Sequence, residues 1–146
     1  NANQALDRII NFFPADRHHQ VWMDLSLNLR GMVAQQLLPT IDGTGRRAAI
    51  EVLINTPLVS DTIKKGEVHA LKEIMQKGTE AGMHTFDKAL FKLYKDGEIS
   101  YDAALASADS PNDLRLMIKL SGDTTDASET AQSFSLEASE DDERRR

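Results

Sequence analysis

Two apolar runs either side of Asp42-Gly43-Thr44-Gly45 supply the only β signature in the sequence. Leu37, Leu38 and Ile41 precede the glycine-rich turn and Ala48 to Ile54 follows it, which predicts a hairpin at about residues 37–54. Two strands alone are marginal in water, so the pair must lean on helices or continue a sheet whose other strands lie outside this chain. Everything else with apolar periodicity reads as helix. The expected fold class is mainly α with one short β-hairpin.

In front of the hairpin, Leu6, Ile9, Ile10 and Phe13 fall on one face of a helix that Asn3 can cap and Pro14 stops. A second, longer helix is expected from near Asp16 towards Gln36. Its apolar residues Val21, Trp22, Leu25, Leu29, Met32 and Val33 spread over more than one face, as for a helix held between two layers. Beyond the hairpin the helices are short. Thr56 as cap and Pro57 at the first helical position open one that ends at Gly66, with Lys64 and Lys65 suited to its negative end. Val68, Leu71, Ile74 and Met75 run up to Gly78, and Phe86, Leu90, Leu93 and Tyr94 up to Gly97. Ser100 and Ser110 are expected to cap two more, the second reinforced by Pro111 and Asp113.

The chain has 146 residues, the size of one ordinary domain, and no cysteine, which excludes disulfides, thiolate metal sites and a cysteine nucleophile. No apolar run reaches the roughly 18 residues of a membrane helix, and Asn1 to Arg8 lack the regions of a secretory signal, so a soluble chain is expected. The charge is unevenly placed. Residues 121–146 hold eight acids against three arginines, a net −5 out of the total of −6, and the first 120 residues are close to neutral. No broad basic field points to nucleic acid. Residues 1–120 are therefore read as the folded part and 121–146 as an acidic disordered tail, in which Phe134 could at most anchor a short docking segment.

Few residues suggest chemistry. His18 and His19 diverge by about 100° on a helix and belong to no HExxH pattern, and His69 and His84 are isolated, so no metal site is expected. Asp42 to Gly45 lacks the lysine of a phosphate-binding loop and is followed by a strand instead of a helix, which makes it a turn. Arg46 and Arg47 beside it could meet a phosphate or a neighbouring subunit, or simply be solvated. Arg30 lies within the wide apolar helix and Glu51 interrupts the apolar second strand, so each needs compensation if buried and a structural Arg30–Glu51 ion pair is expected. No catalytic residue is assigned.

Several stretches then agree, in order, with one family. Leu29-Arg30-Gly31-Met32-Val33-Ala34-Gln35-Gln36-Leu37-Leu38 resembles the Leu-Arg-x-Val-x-x-Gln-x-Leu-Leu segment of secretion and type IV pilus ATPases. Ala5 to Pro14 resembles the helix ending in Phe-Pro after that family's His box, Gly45 to Leu53 its next strand, and Gly82-Met83-His84-Thr85-Phe86-Asp87 with Leu90 and Gly97 its late helical signature. The resemblance spans roughly residues 1–120. Within the family the chain resembles the retraction ATPases of twitching motility, PilU-like more than PilT-like. PilT-type motors read Ala-Ile-Arg-Asn-Leu-Ile-Arg-Glu after the proline, whereas this chain reads Leu58-Val59-Ser60-Asp61-Thr62-Ile63-Lys64-Lys65.

The resemblance implies the C-terminal helical part of an incomplete RecA-like P-loop ATPase domain. It also implies a homohexameric, cytoplasmic motor, peripheral to the inner membrane at the pilus base, that uses ATP and Mg2+ to retract pili with a PilT-like paralogue and an inner-membrane platform protein. The Walker A loop, acidic boxes and His-box histidine are expected before Asn1, so no cofactor is expected for the fragment alone. The candidate force-coupling helix comprises Thr56, Pro57, Val59, Ser60, Asp61, Ile63 and Lys64. Two alternatives stand beside it. A pilus extension or type II secretion ATPase would usually carry a four-cysteine zinc insertion that is missing here, and a non-enzymatic helical adaptor would lack nucleotide chemistry.

Overall fold

The computed structural model describes residues 1–78 and 82–122. Nearly all of the acidic tail expected over 121–146, including Phe134, lies outside the described residues. Helix α1 (Ala2–Asn11) starts two residues before the sequence-based expectation, because Asn1, not Asn3, is the cap: its Oδ1 accepts the Gln4 N–H at 3.0 Å. Ala2, Leu6 and Ile10 form the buried stripe of α1.

The long helix expected from Asp16 towards Gln36 is a shorter helix followed by a strand. After a 3₁₀ turn (Ala15–Arg17), α2 (His18–Asn28) ends where Leu29 turns extended with ψ 137°, and the chain continues as strand β1 (Gly31–Pro39). The wide apolar spread belongs to a shorter helix joined to an alternating strand. Val33 and Leu37 point outwards at 72% and 51% exposure, whereas Leu38 is 1% exposed and Met32 and Ala34 are half-buried. Glycine is needed at the start of β1, since a Cβ on Gly31 would stand 2.8 Å from the Leu53 carbonyl oxygen.

Strand β2 (Arg46–Ile54) pairs antiparallel with β1 from Gly31↔Ile54 to Pro39↔Arg46, so the hairpin is longer than expected at its front. Ala49, Glu51 and Leu53 share the buried face of β2, and Val52 also makes an isolated bridge to His84 through Val52 N–H to His84 C=O at 2.9 Å and His84 N–H to Val52 C=O at 3.1 Å. Five short helices follow: α3 (Pro57–Lys64), α4 (Leu71–Lys77, after a 3₁₀ turn Val68–Ala70), α5 (Phe86–Lys95), α6 (Tyr101–Ser107) and α7 (Pro111–Leu120). Ser100 caps α6 as expected, its hydroxyl accepting the Ala103 N–H at 3.1 Å. Ser110 makes no side-chain cap; the Asp87 carboxylate accepts the Asp109 and Ser110 N–H groups at 2.8 and 3.3 Å instead.

The hairpin leans on helices through two separate apolar clusters. Leu53 packs with Leu6 of α1, Val59 and Ile63 of α3, and Leu71 and Met75 of α4, with Trp22 and Leu25 of α2 against them. Ala49 and Leu38 pack instead with Phe86 and Leu90 of α5, Ile99, Ala104 of α6 and Leu114 and Ile118 of α7. Each fully buried Leu or Ile contributes about 1.5–3 kcal/mol of transfer free energy, which is what makes a two-stranded ribbon stable here. Glu51 sits on β2 between the residues that enter the two clusters.

Candidate functional site

Helix α3 divides the residues singled out for force coupling into two groups. Thr56 caps it, its hydroxyl accepting the Val59 N–H at 3.4 Å, and Pro57 holds the first turn. Val59 and Ile63 are fully buried in the first apolar cluster. Asp61 and Lys64 face solvent, and Asp61 pairs with Lys65 at 2.6 Å. The Asp61 hydrogen bond and charge push the Lys65 ammonium pKa up. Ser60 is half-buried, and its hydroxyl donates to the Ser26 carbonyl of α2 at 2.7 Å.

Beside this helix lies an apolar groove of about 480 Å³, with Thr56 and Leu58 on one wall and Ala70, Ile74, Gly78 and Met83 on the other. The Glu73–Lys77 pair, 2.6 Å apart, lines its edge, and Lys77 holds the Glu73 carboxyl below its usual pKa. Leu58 is 59% exposed at the rim. An exposed charged helical face next to an apolar groove can bind a partner; it holds no nucleophile–base arrangement.

Arg30 and Glu51 are not an ion pair. Arg30 lies between α2 and β1 with its side chain exposed, so it needs no buried partner. Glu51 is 3% exposed and satisfies two helix starts: Oε1 accepts the Ala2 N–H of α1 at 2.6 Å and Oε2 the Phe86 N–H of α5 at 3.3 Å. Helix N-termini present unpaired N–H groups and a positive dipole end, and a carboxylate answers both. Asp87, which the sequence did not single out, is 1% exposed and joins α4 to α5 through Lys72 at 2.8 Å as well as capping α7. Its sequence signals were an acid in the first turn of a helix and a place in the Gly82–Asp87 family signature, neither of which showed its partners.

Asp42 to Gly45 is a turn, as expected, closed by its own side chains. Asp42 accepts from Thr40 Oγ1 and Thr44 Oγ1, and these bonds together with the Thr44 N–H lower its pKa to about 2. Its carboxylate is thus engaged within the turn, and no lysine stands in the loop, so the donor set here does not fit a nucleotide phosphate. Arg47 pairs with Glu98, tying the turn end of the hairpin to the segment after α5. His18 Nε2 lies 2.9 Å from the Phe13 carbonyl oxygen, which can only accept a hydrogen bond, and among the described residues no group of three or more histidine or acidic side chains could hold a metal ion.

No family model matches the chain. It is 67% identical to the type IV pilus ATPase PilU of Pseudomonas aeruginosa over 145 residues, which is 97% of this chain and 38% of that protein. It is 34% identical to the retraction ATPase PilT of the same organism, across 76% of this chain and 32% of that protein. The crystal structure of the pilus retraction motor PilT with bound ADP superposes with a TM-score of 0.67 at 32% identity, covering 77% of this chain and 31% of that one. The chain thus spans about a third of the length of the relatives it matches.

Proposed function

The chain belongs to the PilT/PilU family of type IV pilus retraction ATPases, and from that premise we propose that it is the C-terminal part of an ATP-driven motor for pilus retraction in twitching motility. The observation that carries this is the 67% identity to PilU over 97% of the chain. In this reading residues 1–120 form the rear portion of the ATPase domain. The whole protein is a hexamer that uses ATP and Mg2+ on the cytoplasmic side of the inner membrane, and works with a PilT-like paralogue on the platform protein. ATP supplies the free energy of the stroke in that assembly. The residues described here hold no phosphate cradle, so their share is mechanical: α3 presents Leu58, Asp61 and Lys64 outwards while Val59 and Ile63 anchor it in the first cluster.

The accessory role is supported by Ser60 and Thr62, which stand where PilT-type motors carry arginine and leucine. Deleting the gene for the full-length protein and following single pili in an optical trap tests it. Unloaded retraction is expected to persist while the stall force falls. Loss of extension in place of retraction would favour the extension-motor alternative, and unchanged behaviour under load would reject the accessory role.

A further inference from the structure

We infer that Asn55 and Ser60 are positioning residues that clip α3 to the end of α2, so that both helices and the start of β1 move as one arm; this rests on the reading of α3 as the force-delivering helix. The last carbonyls of any helix lack intrahelical donors. At the end of α2 those donors come from a segment some thirty residues away in sequence, where Asn55 Nδ2 gives hydrogen bonds to Ser26 C=O at 3.0 Å and Leu29 C=O at 2.8 Å across separations of 29 and 26 residues. Ser60 Oγ donates to the same Ser26 C=O at 2.7 Å. The Asn55 backbone N–H donates to Arg30 C=O at 3.0 Å. One residue at the junction of β2 and α3 therefore holds α2, the linker and the mouth of β1.

The chemistry selects an amide at position 55. Its two N–H groups meet two carbonyls, while Oδ1 is buried without a partner. An unpaired buried acceptor is unfavourable, and it is retained here where the donors are in use. A carboxylate in that place would face two carbonyl oxygens. At the other end of the helix pair, Trp22 lies against Gly66, which adopts φ +73° just past α3; a Cβ there would stand 3.2 Å from the indole Nε1. Between these fasteners Trp22 and Leu25 pack on the cluster containing Val59 and Ile63. A push on the exposed face of α3 is then passed through Ser26, Leu29 and Arg30 into β1 and cannot simply roll α3 on its neighbours.

The test uses the full-length protein with N55D, S60A and S60T, read by hydrogen–deuterium exchange and by mechanical work per ATP hydrolysed. Loss of one such part-buried hydrogen bond should raise the opening equilibrium roughly fivefold. S60A is expected to speed exchange by about that factor, and N55D by more, at the end of α2, the start of α3 and the first residues of β1 together, leaving α6 and α7 unchanged. Work per ATP should fall, and S60T should restore both readouts. S60A is the milder change and keeps the test valid if N55D does not fold. Exchange rising in one helix alone, rising in neither, or failing to recover in S60T overturns the inference. Joint loosening with unchanged work per ATP supports the clip and rejects force delivery through α3.

Discussion

Glu51→Ala is expected to destabilise the chain by about 3–5 kcal/mol, whereas Arg30→Ala should stay within about 0.5 kcal/mol of the parent. The figure follows from the geometry. Removing the carboxylate strands the Ala2 and Phe86 N–H groups, on residues only 2% and 5% exposed, so water cannot readily replace the acceptor. Hydrogen bonds to a charged group are worth about 1.5–3 kcal/mol each, and the vacated space adds to the loss. Relief of the carboxylate's own desolvation works in the opposite direction and keeps the total near the lower end. Glu51→Gln should fall between, at about 1.5–3 kcal/mol, because its amide oxygen can serve one helix start while its NH₂ meets a donor at the other. Urea unfolding followed by far-UV circular dichroism and by the emission of Trp22, the single tryptophan, measures all three variants. With a slope of about 1.5 kcal/mol per molar urea, the alanine variant should lose roughly 2 M in its midpoint. A loss below about 1 kcal/mol for Glu51→Ala, or an Arg30→Ala loss that matches it, would refute the double-cap assignment.

Three further outcomes are expected. Asp87→Ala should destabilise by about 2–4 kcal/mol, and by more than Lys72→Met, because Lys72 retains 28% side-chain exposure and can reach water while the α7 cap cannot be replaced; the reverse order in thermal unfolding would contradict this. Because Thr40 and Thr44 hold the Asp42 pKa down at about 2 from 3.8, its contribution to the turn is complete above pH 4 and is lost as pH falls towards 2. The Thr44 amide shift in an NMR titration should therefore have its midpoint near 2, and a midpoint near 4 would contradict the turn's hydrogen bonding. Calorimetry with Mg·ATP should detect no tight site on the 146-residue chain alone, and micromolar affinity would show that a phosphate cradle exists within it.

The sequence disclosed elements where one period held throughout and misled where two periods met. Thr56-Pro57, the turn at Asp42 to Gly45 and the cap at Ser100 carry local chemistry that needs no distant partner, and all three appear as read. The boundary at Leu29 was hidden because Leu25, Leu29, Met32 and Val33 satisfy a helical spacing, whereas the strand there is defined by its pairing with β2 from Gly31↔Ile54 onwards. The Arg30–Glu51 pairing failed for a more general reason. A buried acid in a sequence announces that it needs compensation, and a nearby base is the only compensation that residue identities display. Backbone N–H groups at helix starts are equally good partners, yet every residue except proline has one, so nothing in the sequence marks which will converge. Glu51 and Asp87 follow that rule, and Asn55 mirrors it by donating to carbonyls at the end of α2: each takes much of its compensation from main-chain groups at helix ends between 22 and 49 residues away. Of these side chains only Glu51 was legible as a polar residue in an apolar run, while Asp87, Asn55 and the partners of all three become visible only once the helix termini have been placed in space.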